Sequence, residues 1–297
     1  MIVDVNGHMS ELVDADAEIE QITTGFRFTE GPVWDSKENC LLFCRPRDHE
    51  ISRWSRKDGL SVFREKSGSA TGLTFDSQHR LIACEPRISR EGSGRRVGRT
   101  NLDGTIEAIA THYEGGRVSG PNDLICLAND DVIFTDPEGA LHHADGTVSP
   151  RETPFNAVYR ISAADGSVNL VTGEIESPNG IVKRDGGELL IADRSNVWSC
   201  GVDGSNLRLF KDLKHGDVVG SADGMKLDSL GNLYVSGRTE GMWIIDPKGE
   251  LIGFINVGER AINMCWGEED WKTLFIESAT SVYRVRMNVA GQQLNPK

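Results

Sequence analysis

Six oxygen-bearing side chains, Glu30, Thr71, Asn122, Asn179, Asp223 and Asn263, each stand at the entry to a short apolar run. If those runs are equivalent elements of a repeat, the six side chains meet at one place. Glu30, Asn179 and Asp223 then form a carboxylate-amide-carboxylate set. Hard oxygen donors of this kind suit Ca²⁺ first, with Mg²⁺, Mn²⁺ and Zn²⁺ as alternatives. Two negative charges balance one divalent ion. Taken singly, each residue reads as a turn-former, because Asn and Asp side chains hydrogen-bond neighbouring backbone. Turn formation does not require an oxygen at every equivalent position.

The elements that must position them repeat with a period of about 40 to 57 residues. Each unit opens with a short apolar run, as in Gly72-Leu73-Thr74-Phe75 or Gly224-Met225-Lys226-Leu227-Asp228. A second follows, as in Leu81-Ile82-Ala83-Cys84 or Leu233-Tyr234-Val235-Ser236, and then a third, as in Val282-Tyr283-Arg284-Val285. Asp58-Gly59, Asp103-Gly104, Asp165-Gly166, Asp203-Gly204 and Lys248-Gly249 supply hairpin turns after the third run. Helical periodicity is nearly absent. This pattern predicts an all-β chain, a six-bladed β-propeller with four antiparallel strands per blade. Residues 1–297 read as a single domain, with 1–17 a tail or cap. The last unit ends on its third strand, whereas Glu18-Ile19-Glu20-Gln21-Ile22 lacks a partner. That N-terminal segment is expected to close the ring as the outer strand of the last blade, removing an exposed edge.

In a propeller the first strand of each unit lines the central channel, so the six oxygen-bearing residues gather on the axis at one face. The second strand returns to the same face and offers an outer tier: Arg45, Glu85, Asp136, Asp193, Arg238 and Glu277. Thr71, Asn122 and Asn263, with Arg45, Glu85 and Asp136, are candidate substrate contacts. Singly, such surface charges are more often solvated than functional. The longest departures from the period, 86–96 and 137–156, read as loops over one face, where lids and substrate contacts concentrate. Arg87, Arg90, Arg95 and Arg96 in the first could attract an anion.

With 32 Lys and Arg against 45 Asp and Glu, the formal net charge is -13. So acidic a chain is a poor binder of nucleic-acid backbones, whose affinity comes from Lys and Arg displacing counterions. No run is apolar enough to span a bilayer, and the N-terminus has no secretory pattern. The six cysteines are scattered without CxxC spacing and read as reduced, buried thiols of a cytoplasmic protein. His142 and His143 have no spaced partner for a zinc site, and no GxSxG or Walker motif occurs. No coiled-coil or swapped segment is present from which an oligomeric state could be read.

The segments Phe26-Arg27-Phe28-Thr29-Glu30-Gly31-Pro32-Val33-Trp34, Ser119-Gly120-Pro121-Asn122-Asp123-Leu124, Ser177-Pro178-Asn179-Gly180 and Ala222-Asp223-Gly224-Met225 resemble the SMP-30/gluconolactonase family of metal-dependent lactonases. The resemblance extends over nearly the whole chain. Arg80-Leu81-Ile82-Ala83-Cys84-Glu85 is similar to the bacterial-type members. It implies a six-bladed propeller, a divalent cation held by Glu30, Asn179 and Asp223, Asn122 close to metal and substrate, and hydrolysis of a small cyclic ester.

The expected mechanism has the cation polarise the lactone carbonyl while Asp223 serves as general base for the attacking water. Glu30 and Asn179 would hold the ion, and Asn122 would orient the carbonyl or a ring hydroxyl. The alternative is a non-catalytic, metabolite-binding or regulatory propeller with a structural metal. Fold by itself does not choose between them.

Overall fold

A computed structural model describes residues 1–87, 94–143, 146–237 and 241–293. Six antiparallel sheets follow one another along the chain, mostly of four strands each. Their first strands are Glu30–Asp35, Gly72–Phe75, Leu124–Cys126, Pro178–Lys183, Met225–Leu227 and Ala261–Gly267. In the first four blades the order then follows the sequence outwards, as in Glu30–Asp35, Cys40–Arg45, Glu50–Ser55 and Gly59–Glu65. The architecture is that of a six-bladed β-propeller.

Local chemistry explains why the hairpins recur. Gly59, Gly104, Gly166, Gly204 and Gly249 all have positive φ at the turn before the outer strand. The preceding acid closes the turn: Asp103, Asp165 and Asp203 accept from the amides of Thr105, Ser167 and Ser205 at 2.9 to 3.0 Å. Asp76 and Asp228 close the turn between first and second strands in the same way. A short side-chain acceptor two residues before an N–H is the mechanism by which Asp favours such turns.

The core lies between neighbouring sheets. Ile82, Cys84 and Val97 of the second blade pack on Leu124, Phe134 and Tyr159 of the third. At the junction of the last and first blades, Trp34 stacks on Phe275 with ring centroids 5.3 Å apart. Strands buried on both faces explain runs such as Cys40–Arg45, whose residues are buried with only Arg45 intermediate. Such strands lack the apolar-polar alternation of a half-solvated sheet.

The N-terminal segment Ile19–Thr24 pairs antiparallel with Ser281–Arg286 as the outer strand of the last blade. The expected ring closure is met only to that extent, because the sheets remain separate and none closes on itself. Residues before it are ordered too. Ile2–Asp4 adds a fifth strand to the fifth blade, pairing with Leu251–Ile255, and Met9, Leu12 and Val13 are buried between the last two blades. Among the described residues no helix is long and apolar enough to cross a membrane.

Candidate functional site

Close backbone approach brings the six entry residues together. Gly180, directly after Asn179, lies so near the fifth blade that a Cβ there would stand 2.0 Å from the Asp223 carbonyl oxygen. Gly31, after Glu30, meets the Thr71 carbonyl at 2.1 Å in the same sense, and its φ is +55°. Only glycine accepts both constraints. Register shifts fall between Glu30 and Val33, between Pro178 and Ile181, and between Ala261 and Asn263. A bulge re-aims the side chain next to it, so Glu30, Asn179 and Asn263 leave the alternation of their strands.

Bonds between blades tie these entries into a ring. The Thr71 hydroxyl donates to the Asn122 carbonyl at 2.8 Å, and the Thr135 hydroxyl to the Asn179 carbonyl at 2.7 Å. The Ile181 amide donates to Asp123 at 3.2 Å, and the Asn263 amide to Glu30 Oε2 at 3.0 Å. Glu30 Oε2 also accepts the Gly31 N–H at 2.6 Å. Asp223, whose backbone amide donates to the Ser236 hydroxyl at 2.9 Å and whose carboxylate accepts from Arg260 at 3.4 Å, stands near enough to Glu30 and Asn179 for both to act on its titration. The structure therefore brings together Glu30, Asn179, Asp223 and Asn263. Thr71 and Asn122 join through the backbone, leaving the Asn122 side-chain amide without a hydrogen bond to any described residue.

Electrostatics follow from burial. Glu30 is 5% exposed, and desolvation, with the Asp223 charge next, raises its carboxyl well above the usual range. Burial likewise raises Asp223 to about 6, against the lowering effect of Arg260, whose guanidinium stands 3.4 Å away. Two desolvated acids this near one another titrate as a pair, each shifted upward.

The metal expectation is overturned. Among the described residues no group of three or more His, Cys, Asp or Glu side chains is placed to hold a metal ion. A resident Ca²⁺, or Mg²⁺, Mn²⁺ or Zn²⁺ in its stead, on Glu30, Asn179 and Asp223 is thus not supported. With it falls the metal-dependent lactone opening in which the ion polarises the carbonyl and Asp223 is the general base. The donor set supplies the reason: it has only two carboxylates, one with an oxygen already taken by Gly31 and Asn263 and the other paired with the Arg260 guanidinium.

Most of the outer tier is engaged by partners of its own. Arg45 is paired with Asp48 and Glu50 at 2.8 and 2.6 Å. Glu85 is buried between Arg64 and Arg96 at 2.6 and 2.7 Å. Asp136 accepts the amides of Ser119 and Gly120 at 2.8 and 2.7 Å, and burial raises it to about 6. Asp193 accepts from Ser177 and Trp198. These bonds tie Arg45, Glu85 and Asp136 to the surrounding scaffold. Glu277 is fully buried, with neither carboxyl oxygen hydrogen-bonded to a described residue. Arg238 and Arg90 lie outside the described residues, as do parts of both long loops; Arg95 donates to the Val118 carbonyl. Two participants escaped the sequence reading. Asp123 had a signal, its place directly after Asn122; Arg260, in an exposed turn, had none.

Similarity to known proteins agrees with this architecture. A gluconolactonase from Zymomonas mobilis is 30% identical, over 95% of this chain and 85% of its own length. Chicken regucalcin is 21% identical, over 86% of this chain and 84% of its own. Among solved structures, a gluconolactonase from Xanthomonas campestris superposes with a TM-score of 0.84 at 23% identity, covering 96% of this chain and 94% of that one. The model of the SMP-30/Gluconolactonase/LRE-like region matches residues 28–280. With that match extending through all six blades, the chain belongs to the SMP-30/gluconolactonase/LRE-like family.

Proposed function

We propose that this protein is a metabolite-binding propeller whose axial cluster takes a small cyclic ester rich in hydroxyls, or its ring-opened acid. The observation that carries the reading is the neighbouring pair Glu30 and Asp223 with the amides of Asn179 and Asn263 beside it. Carboxylates accept from ligand hydroxyls, while amides donate to a ring carbonyl. Asn122 contributes the uncommitted amide and Thr71 the backbone link that holds it. The lactone class comes from the gluconolactonase relative, and family membership supports catalytic capacity at the level of the family. Lactonase turnover, with Asp223 as its reactive carboxyl, is the enzymatic form of the same reading. Six free, buried cysteines suit a reducing compartment such as the cytoplasm.

The test is calorimetric titration of the full chain with a panel of γ- and δ-lactones and their hydroxy acids, paired with pH-stat assay of ring opening. Saturable binding that weakens roughly tenfold or more in Asn179→Ala and Glu30→Gln supports the site, a loss expected for one or two hydrogen bonds to charged partners. Turnover of a bound member adds the enzymatic function. Binding unchanged by both substitutions would place the ligand elsewhere, and an inert panel would remove lactones as the ligand class.

A further inference from the structure

The other end of the channel holds a cavity of about 790 Å³. Each first strand contributes a residue from its far half: Val33, Thr74, Cys126, Val182, Lys226 and Cys265. Glu30 and Trp34 mark the two ends of a single strand, four residues apart, roughly 13 Å at the rise of an extended chain. The cavity is therefore distinct from the axial carboxyl cluster.

Its walls are mixed, with Phe75 and Trp271 half-buried on the lining and Trp34 and Trp266 reaching it from the cores between blades; Phe75 is backed by the His79 ring in parallel stacking at 4.3 Å. Most charge on the lining is already matched. Asp76 pairs with Arg80 at 2.7 Å and accepts the Gln78 and Arg80 amides, and His79 meets Asp35 at 2.8 Å. Lys226 differs. Its ammonium donates to its neighbour's carbonyl, Met225, at 3.0 Å, and it forms no ion pair with a described residue. Behind it, Asp123 has both oxygens engaged by the Leu124 and Ile181 amides. Glu277 is enclosed in the interior.

We propose that this cavity is a second ligand site, for an amphipathic aromatic carboxylate that sets its anion on Lys226 and its ring against Phe75 and Trp271. A single unpaired cation on the described lining gives the ligand one orientation, carboxylate toward Lys226. Low surrounding polarity strengthens the ammonium-carboxylate contact relative to water. Aromatic rings on the lining favour a flat ring over a sugar-like ligand, which separates this specificity from that of the axial cluster.

The probe is 2-naphthoate, with 2-naphthalenemethanol as its uncharged counterpart. Three of the six tryptophans line the cavity, so titration of the full chain is read as tryptophan quenching and checked by calorimetry. Naphthoate is expected to bind at least roughly tenfold more tightly than the alcohol, with that advantage lost in Lys226→Met and retained in Lys226→Arg, the difference expected of one charge-assisted contact. Asp223→Asn is expected to leave it unchanged. No binding, equal affinity for the alcohol, or full affinity in Lys226→Met would overturn the proposal. Gln292 and Gln293 stand at the lining and four residues follow them. Binding that appears only in a chain ending at residue 293 would assign the cavity to the protein's own C-terminus, and would also overturn it.

Discussion

Glu30 of the first blade lies within electrostatic reach of Asp223 of the fifth, and burial raises both carboxyls. The stability consequence has a definite sign. A carboxyl with a raised folded pKa contributes most below its unfolded pKa of 3.8, where both states hold the proton. That contribution is lost as pH rises through about 6, where the folded chain must ionise a desolvated group. Asp223→Asn is accordingly expected to raise stability at pH 7.5 by up to about 3 kcal/mol, the worth of a two-unit shift. The gain should vanish near pH 4. Thermal melts at both values check it; a variant less stable than wild type at pH 7.5 would contradict the assignment.

Gly180 is expected to reject any side chain. A Cβ there meets the Asp223 carbonyl oxygen at 2.0 Å, and backbone cannot swing aside as a flexible side chain can. Gly180→Ala should cost about 2–4 kcal/mol in urea unfolding, within the range for overpacked or strained positions. It should also displace Asp223 and abolish ligand binding at the axis. Gly139→Ala, which meets nothing within 4 Å, serves as the control and should be near neutral.

Glu259 holds the seam where the chain returns on itself. Its carboxylate accepts from the hydroxyls of Ser278, Thr280, Ser281 and Tyr283, and from the Thr280 amide. These bonds outweigh its partial burial and lower its pKa to about 2. Here the sign is opposite: the contribution is present above the unfolded pKa of 4.5 and is lost as pH falls through about 2. Glu259→Gln should therefore cost about 1–3 kcal/mol at pH 7 and little at pH 2. Gln21 donates to Ser281 and Tyr283 from the N-terminal strand, so hydrogen exchange should accelerate in Ile19–Thr24.

Glu277 presents the reverse situation, a fully buried carboxyl with no hydrogen-bond partner for either oxygen among the described residues. Burial raises it well above the usual carboxylate range, aided by the Glu30 charge and opposed by Lys226. Replacing an unsatisfied buried polar group by an apolar one of similar shape removes a desolvation penalty. Glu277→Met should stabilise the protein by about 1–3 kcal/mol at pH 7, measured by denaturant midpoint. A loss of stability instead would show that the carboxyl carries a structural role through a partner of its own.

Repetition is why the architecture was legible from residue order. Paired apolar runs such as Leu81-Ile82-Ala83-Cys84, separated by Asp-Gly turns, prescribe antiparallel hairpins through local chemistry that acts within a few residues. The partnerless segment around Ile19 was equally readable, because a strand without a neighbour must find an edge. The entry residues Glu30, Asn179, Asp223 and Asn263 could be aligned for the same reason: equivalent positions in a repeat arrive at equivalent places.

Tertiary structure alone decided what those residues do when they meet. A carboxylate pair reads as a cation site in the sequence, since charge balance is all that composition can weigh. In the fold, burial and the Asn263 and Arg260 donors set the state of Glu30 and Asp223. The outer tier shows the same limit. Glu85 and Arg45 look available in the sequence, yet Arg64 and Arg96 from other strands close on the first, and Asp48 and Glu50 on the second. Arg260 and Lys226 gave no signal, because an isolated cation gains meaning only from what faces it across the channel. Periodicity is a local property that the chain carries with it, whereas desolvation and pairing belong to neighbours that sequence separation hides.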